Sequence, residues 1–381
     1  MIVKVADNIF SPIGYTTSEN FRMVKEGHSA LALHEGLWDI PEPFMASLFP
    51  DRSEIDLKFS GICAGRREDY TFFEKISILS AYDAISRTDI DPSSDKVLFI
   101  LSTTKGNVDL LNIDLNIVDE VLPSHSAERI ASFFGNSNSP ITVSNACTSG
   151  ACAQLTAYRM LEAGLYDHAV VVGADVQSKF IVTGFQSFKA LSKERCRPFD
   201  AQREGLNLGE AAATIIFSRR ENQSAGEKEW VLQRGAIHND ANHISGPSRT
   251  GEGCYLCLKD ILDVADMDNI ALINAHGTAT PYNDEMESIA IDRAGLSHVP
   301  VNGYKGIYGH TMGAAGVLET IISQKSIEEN LLLSTAGFGE RGVSRDINIV
   351  KGNSVTQKSS FIKMLSGFGG CNVALLFKMG E

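Results

Sequence analysis

The chain has 381 residues, 43% of them hydrophobic, with 34 Lys and Arg against 47 Asp and Glu, a formal charge of −13. That length and apolar content can bury a large core and form two domain-sized halves. The acidic balance argues against a non-specific nucleic-acid binder. The apolar runs are strand-sized, too short for a membrane span.

Seven scattered cysteines, an odd number, do not form a disulfide framework. The first residues, Met1-Ile-Val-Lys-Val-Ala-Asp7, lack the long apolar region of a secretory leader, so a reducing cytoplasm is the expected compartment. An acidic partner would need a local basic patch, for which Arg66-Arg67 and Lys189, Lys193, Arg195 and Arg197 are the candidates.

In chain order, Val97-Leu-Phe-Ile-Leu101 predicts a strand leading into a polar loop. The run Ile141-Thr-Val then ends at Asn145-Ala146-Cys147, and Ala151, Leu155, Tyr158 and Leu161 continue at helical spacing. This predicts a strand running straight into a helix with a thiol at the junction. The helix dipole and free N–H groups there favour thiolate, the reactive form. The same pattern also fits a buried structural cysteine.

His168–Asp175 and Ala211–Phe217 predict buried strands, and the polar segment 219–229 reads as a connection. The second half repeats the order. Ala271–Ala275 runs into His276-Gly-Thr-Ala-Thr, Val301–Glu319 forms a strand-to-helix turn, and Phe361–Leu365 and Asn372–Phe377 are strands. Residues 1–218 and 230–381 are thus expected to be two pseudo-duplicated α/β halves packed face to face.

Chemistry gathers at four places. Besides Cys147, His276 sits at a strand end with Thr278 and Thr280 beyond it. Asn302–Glu319 supplies Lys305, His310 and Glu319 among glycines that permit close approach. Ser366-Gly-Phe368-Gly-Gly370 separates two strands and can aim backbone N–H groups at an oxyanion. Cys254-Tyr-Leu-Cys257 has metal-like spacing but lacks a second pair, and Cys371 reads as packing.

Together these residues resemble the β-ketoacyl-acyl-carrier-protein synthases, the elongating types I and II of the thiolase superfamily. The motifs are Ala146-Cys147-Thr-Ser-Gly150, Arg197-Pro-Phe-Asp200, His276-Gly-Thr-Ala-Thr-Pro281, Lys305 with Gly309-His310, and Gly367-Phe-Gly-Gly-Cys-Asn372. The likeness runs from about residue 140 to the C-terminus.

It implies a layered αβαβα sandwich and a Cys-His-His site. By that likeness Cys147 would take the acyl chain. His276 and His310 would donate hydrogen bonds to the malonyl thioester oxygen as carbon dioxide leaves. The N–H groups of Cys147 and Phe368 would form the oxyanion hole, and the Phe368 side chain would gate the acyl pocket. Lys305 and Glu319 would form a buried pair fixing the His310 loop, and Thr278 and Thr280 would bind pantetheine.

The implied partner is acyl carrier protein, which brings its own phosphopantetheine. The implied enzyme is a homodimer with no metal or redox cofactor. Ser102-Thr-Thr-Lys-Gly-Asn107 replaces a Gly-rich family segment, and the loop after it is trimmed, in the region that shapes the acyl pocket. Two rivals share the fold: a coenzyme A-dependent thiolase and a non-catalytic chain-length partner of a synthase heterodimer.

Overall fold

The apolar runs of both halves become strands of one mixed sheet in the computed structural model, which describes residues 1–63, 69–111, 119–221 and 228–380. The first half supplies β1 (Ile2–Phe10), β2 (Val97–Ser102), β3 (Ile141–Val143), β4 (His168–Asp175) and β5 (Ala211–Arg219). The second supplies β6 (Trp230–Asn239), β7 (Ile270–Asn274), β8 (Pro300–Asn302), a short edge strand β9 (Asn348–Ile349), β10 (Ser360–Ser366) and β11 (Cys371–Met379).

The order across the first half is β3-β2-β4-β5-β1, and across the second β8-β7-β10-β11-β6, with β9 outside β8. Parallel pairs at the outer side and antiparallel pairs at the inner side recur in both. The repeat of elements read from the sequence is therefore a repeat of topology. The halves join where β1 and β6 pair antiparallel through Val3–Val231 and Lys4–Trp230.

Burial on both faces explains why the runs are apolar throughout rather than alternating. Ala169 and Val171 of β4 face an inner core with Phe217, Leu318 and Phe361. Val170 and Val172 face an outer core with Phe73 and Ile76 of α1 (Phe72–Ser86). The inner core holds α2 (Ser149–Glu162), which contacts strands of both halves. Along the chain follow α3 (Lys179–Ser187), then α4 (Glu252–Leu262) and α5 (Pro281–Arg293), which cover the outer face of the second half over Ile273, Ile362 and Met364. Helix α6 (Ala315–Glu328) returns to the inner layer beside α2. The two halves of the sheet lie on either side of the inner helices, so five layers result: helices, half-sheet, the α2–α6 layer, half-sheet, helices.

Neither β1 nor β6 was among the strands read from the sequence. Lys4 and Asp7 break the apolar run of β1, yet they pair at 2.7 Å, and Thr17 Oγ1 donates to Asp7 at 2.7 Å. Charges that satisfy each other are compatible with burial. Of the other expectations, Arg66-Arg67 and most of the polar connection, at 222–227, lie outside the described residues. Cys147, Cys152, Cys196, Cys254, Cys257 and Cys371 are free thiols. Among the described residues no helix is long and apolar enough to cross a membrane.

The two inner helices touch through glycine backbone. A Cβ on Gly316 would lie 2.4 Å from Ala151 N, and one on Gly150 would lie 2.9 Å from Gly316 N. Backbone atoms cannot step aside as a side chain can. Gly316→Ala should therefore lower the unfolding free energy measured in urea by roughly 1–3 kcal/mol. Gly352→Ala, at a position with nothing within 4 Å of the added carbon, should stay within about 0.5 kcal/mol of wild type.

Candidate active site

Cys147 occupies the strand-to-helix junction as the pattern predicts. The turn is stapled by its own polar groups. Ser149 Oγ donates to Ala146 O at 2.6 Å, Asn145 N donates to Ser149 Oγ at 2.8 Å, and Thr148 Oγ1 donates to Asn145 O at 2.7 Å. Ala146 has φ +45°, a left-handed conformation that an alanine adopts at a cost of about 1–3 kcal/mol. Asn145 Nδ2 also donates to Cys371 Sγ at 2.9 Å, and Thr148 Oγ1 to the same sulfur at 3.5 Å. Cys371, read from the sequence as packing, thus braces the turn as a hydrogen-bond acceptor as well.

The expected resting thiolate is corrected by the structure. Burial pushes the Cys147 thiol up to about 11, and the opposing pull of Lys305, Lys105 and the Phe368 N–H directed at the sulfur is smaller. The helix dipole is real, but desolvation outweighs it.

His276 and His310 arrive from the second half. One nitrogen of each ring and Cys147 Sγ lie within 4.8 Å of one another, and the two rings stand edge to face at 5.1 Å between centroids. Burial, Lys305 and Lys363 hold both imidazoles well below their usual range, and the His310 ring adds to the effect on His276. Both are neutral at physiological pH.

Met312 N donates to His310 Nδ1 at 3.2 Å, which assigns the ring proton to Nε2. Among the described residues that Nε2 is buried without a partner. The spacing of Cys147, His276 and His310 could also hold a metal ion, but His310 Nε2 presents a donor there rather than a lone pair.

Beneath the rings lies a group the sequence reading captured only in part. Lys305 Nζ donates to Glu319 Oε1 at 2.8 Å, and also to the carbonyl of His276 at 2.6 Å. Lys363 of β10, missed entirely, donates to Glu319 Oε2 at 2.6 Å and to Ala275 O at 3.3 Å. All three side chains are buried. Burial alone would raise the Glu319 carboxyl, but the two ammonium groups outweigh it and hold it below the ordinary carboxylate range.

Lys305 therefore supports the His276 loop directly, where fixing of the His310 loop was expected, and it does not line the cavity at Cys147. Glu287 of α5 was missed too. It accepts from His276 N at 2.7 Å and Gly277 N at 2.8 Å, and burial pushes its carboxyl up to about 7. Its signal was an acidic residue on a helix face that otherwise packs inward.

Two cavities meet at Cys147. The larger, about 490 Å³, is lined by His276, His310, Thr278 and Thr280 and opens past Lys189 and Tyr282. The smaller, about 430 Å³, is lined by Phe180, Phe185, Phe188, Met312 and Lys105. Phe368 lines both, its ring 6.0 Å from Phe185 and 5.6 Å from Phe188. Gly369 and Gly370, at φ +87° and +85°, let this turn close beside the nucleophile.

Thr278 and Thr280 share a hydrogen bond of 2.8 Å on the cavity wall. Of the expected basic patch, Lys189 and Lys193 are exposed, whereas Arg195 bonds Gly306 O and Arg197 pairs with Glu194. Cys254 and Cys257 lie on α4, where Cys257 Sγ donates to Asn372 O, and belong to no metal-like cluster among the described residues.

The N-terminal domain of beta-ketoacyl synthases matches residues 2–223, and their C-terminal domain matches residues 230–339. The chain belongs to the beta-ketoacyl synthase family.

A putative mitochondrial 3-oxoacyl-[acyl-carrier-protein] synthase of Schizosaccharomyces pombe is 26% identical to this synthase over 97% of this chain and 96% of its own length. A 3-oxoacyl-[acyl-carrier-protein] synthase 2 of Rhizobium meliloti is 33% identical over 62% of this chain and 60% of its own. The crystal structure of a beta-ketoacyl synthase from Burkholderia phymatum matches with a TM-score of 0.85 at 22% identity, covering 100% of this chain and 99% of that one. The ishigamide ketosynthase/chain length factor matches with a TM-score of 0.86 at 21% identity, covering 100% and 99%. The fold is thus the ketosynthase fold of the thiolase superfamily. The turn carrying Phe368 lies beyond the matched segment, so its place in the site rests on geometry.

Two outcomes follow for this synthase. Alkylation of resting enzyme by iodoacetamide should mark Cys147 first, because it alone of the seven cysteines lines both cavities. Its rate should climb about tenfold per pH unit from pH 7 toward 10, as the thiol sits near 11. A rate that levels off near pH 7 would mean a thiolate at rest. Glu319→Gln would strand two buried lysines and should cost about 3–5 kcal/mol in chemical denaturation. Lys363→Met leaves the Lys305–Glu319 pair intact and should cost only about 1–2 kcal/mol.

Proposed function

We propose that this synthase holds an acyl chain as a thioester on Cys147 and condenses it with malonyl carrier protein, releasing carbon dioxide and a 3-oxoacyl carrier thioester. The observation that carries this reading is the meeting of one buried thiol and two neutral imidazoles within 4.8 Å at the junction of two cavities.

In the first half-reaction Cys147 Sγ replaces the carrier's sulfur on the acyl carbonyl. The thiol proton leaves on the carrier's thiol. The N–H groups of Cys147 and Phe368 stabilise the tetrahedral oxyanion. The acyl chain lies in the smaller cavity, past Phe368, and pantetheine runs along the larger one beside Thr278 and Thr280. In the second half-reaction malonyl loses carbon dioxide, and His276 and His310 donate to the enolate oxygen. The enolate carbon attacks the acyl carbonyl, Cys147 leaves as thiolate and recovers a proton from water.

Neutral N–H donors held ready in a dry site contribute a few kcal/mol each to such a step. The synthase works without a metal or redox cofactor of its own, in keeping with the donor face of His310. It acts in the cytoplasm as a homodimer, for which β3, the edge of the sheet among the described residues, offers a pairing surface. Exposed Lys189 on the wall of the larger cavity, with exposed Lys193 four residues on, meets the acidic carrier. The thiolase rival would need a second thiol at the reacting atoms, and Cys371 faces neither cavity. The chain-length-partner rival needs no nucleophile, and Cys147 is intact.

Cys147→Gln separates these readings. Its amide would occupy the place of the acyl thioester, so condensation should vanish while carbon dioxide release from malonyl carrier alone persists or rises. Wild type and variant are compared by carbon dioxide release and acetyl-carrier formation. Acetyl carrier from neither protein would sink the decarboxylating reading. Adding His310→Ala to the variant should lower the release about a hundredfold.

A further inference from the structure

The smaller cavity, read above as the acyl site, is not uniformly apolar. Four phenylalanines, Phe180, Phe185, Phe188 and Phe368, make its walls with Ile181 and Met312, and into this lining comes one cation, Lys105. The lysine is half-buried, and among the described residues its Nζ reaches only the carbonyl of its neighbour Thr104, at 3.3 Å. Among the described residues no carboxylate lies within ion-pair reach of it.

Its backbone is held firmly in place. Lys105 N donates to Asp175 Oδ1 at 3.2 Å, and the same carboxylate takes Thr103 Oγ1 at 2.7 Å and Gly313 N at 2.7 Å. An anchored loop thus places Lys105 in the cavity wall, close enough for its charge to act on the Cys147 thiol.

A saturated chain ending in methyl would strip water from this ammonium and return nothing. A chain carrying an oxygen acceptor would replace that water with a charge-assisted hydrogen bond. We infer that Lys105 is a specificity residue that selects acyl chains bearing an oxygen acceptor beyond the thioester, with a terminal carboxylate the best fit to its charge. The inference rests on the reading of Cys147 as the acyl carrier, and it names the class of chain that Cys147 receives. The aromatic walls hold the carbon skeleton, and Lys105 reads the polar group.

The test is loading of Cys147, followed by intact-protein mass, from pantetheine thioesters of matched length. Octanoyl, 8-hydroxyoctanoyl and 7-carboxyheptanoyl chains are compared, with hexanoyl and decanoyl counterparts to vary reach. Wild type should load the carboxylate-ended chain about ten- to a hundredfold faster than the methyl-ended one at the best length. Lys105→Met should reverse that order, and Lys105→Arg should keep it, which also guards against a variant that merely folds badly. If the hydroxyl chain gains as much as the carboxylate, the acceptor rather than the anion is what is read.

Equal rates for methyl-ended and oxygen-bearing chains in wild type would overturn the inference and leave the synthase reading standing. So would a uniform slowing of all chains in Lys105→Met, which would place the lysine's effect on the thiol. No acylation of Cys147 by any chain would overturn both.

Discussion

The site hangs on one carboxylate. Glu319 leaves α6 in the innermost layer and receives Lys305 from the segment after β8 and Lys363 from β10. Those lysines in turn hold the carbonyls of His276 and Ala275 at the end of β7. A single anion thus ties together four elements of the second half directly beneath the two imidazoles. Its charge matters as much as its bonds. Two buried cations against one anion leave a positive excess under the rings, and this excess helps keep both histidines unprotonated. Positioning and protonation state have one source.

Around that charge cluster, both halves hold the site by backbone strain and close contact. Ala146, Ala279 and Met312 all take left-handed φ, at +45°, +61° and +47°, each next to a residue of the site. Such conformations persist only where the surroundings over-determine them. Here the staples around Asn145 and Ser149, the Met312 N–H on His310 and the glycine contact of α2 with α6 do so. The reacting groups are fixed by backbone, whereas the Phe368 ring, which lines both cavities, is 36% exposed.

Much of this was legible in the residues. Strands buried on both faces announce themselves as unbroken apolar runs, so His168–Asp175 came out with its ends correct. Strand ends followed by Cys147, His276 and His310 marked where chemistry gathers. What escaped is what depends on distance in sequence. Lys363 sits inside a strand and looks like an outward-facing residue of an edge. Only its partner 44 positions earlier makes its burial possible. Lys4 and Asp7 hid β1 in the same way. The thiol of Cys147 misled for a different reason, because a local rule about helix N-termini says nothing of how deeply the turn is covered. Charges in the interior are readable only as pairs, and burial only from the whole fold.

The placement of β1 has a consequence for how this protein comes into being. Strand β1 pairs with β5 and β6, whose residues are synthesised about 200 positions later. Until then its apolar edge has no native neighbour, and the central seam of the sheet cannot close. Emergence from the ribosome is therefore a long wait with an exposed strand, the situation in which chains pair with the wrong partner. The charges of Lys4 and Asp7 interrupt that waiting edge. The pair that obscured the strand in the sequence also makes the nascent chain less adhesive.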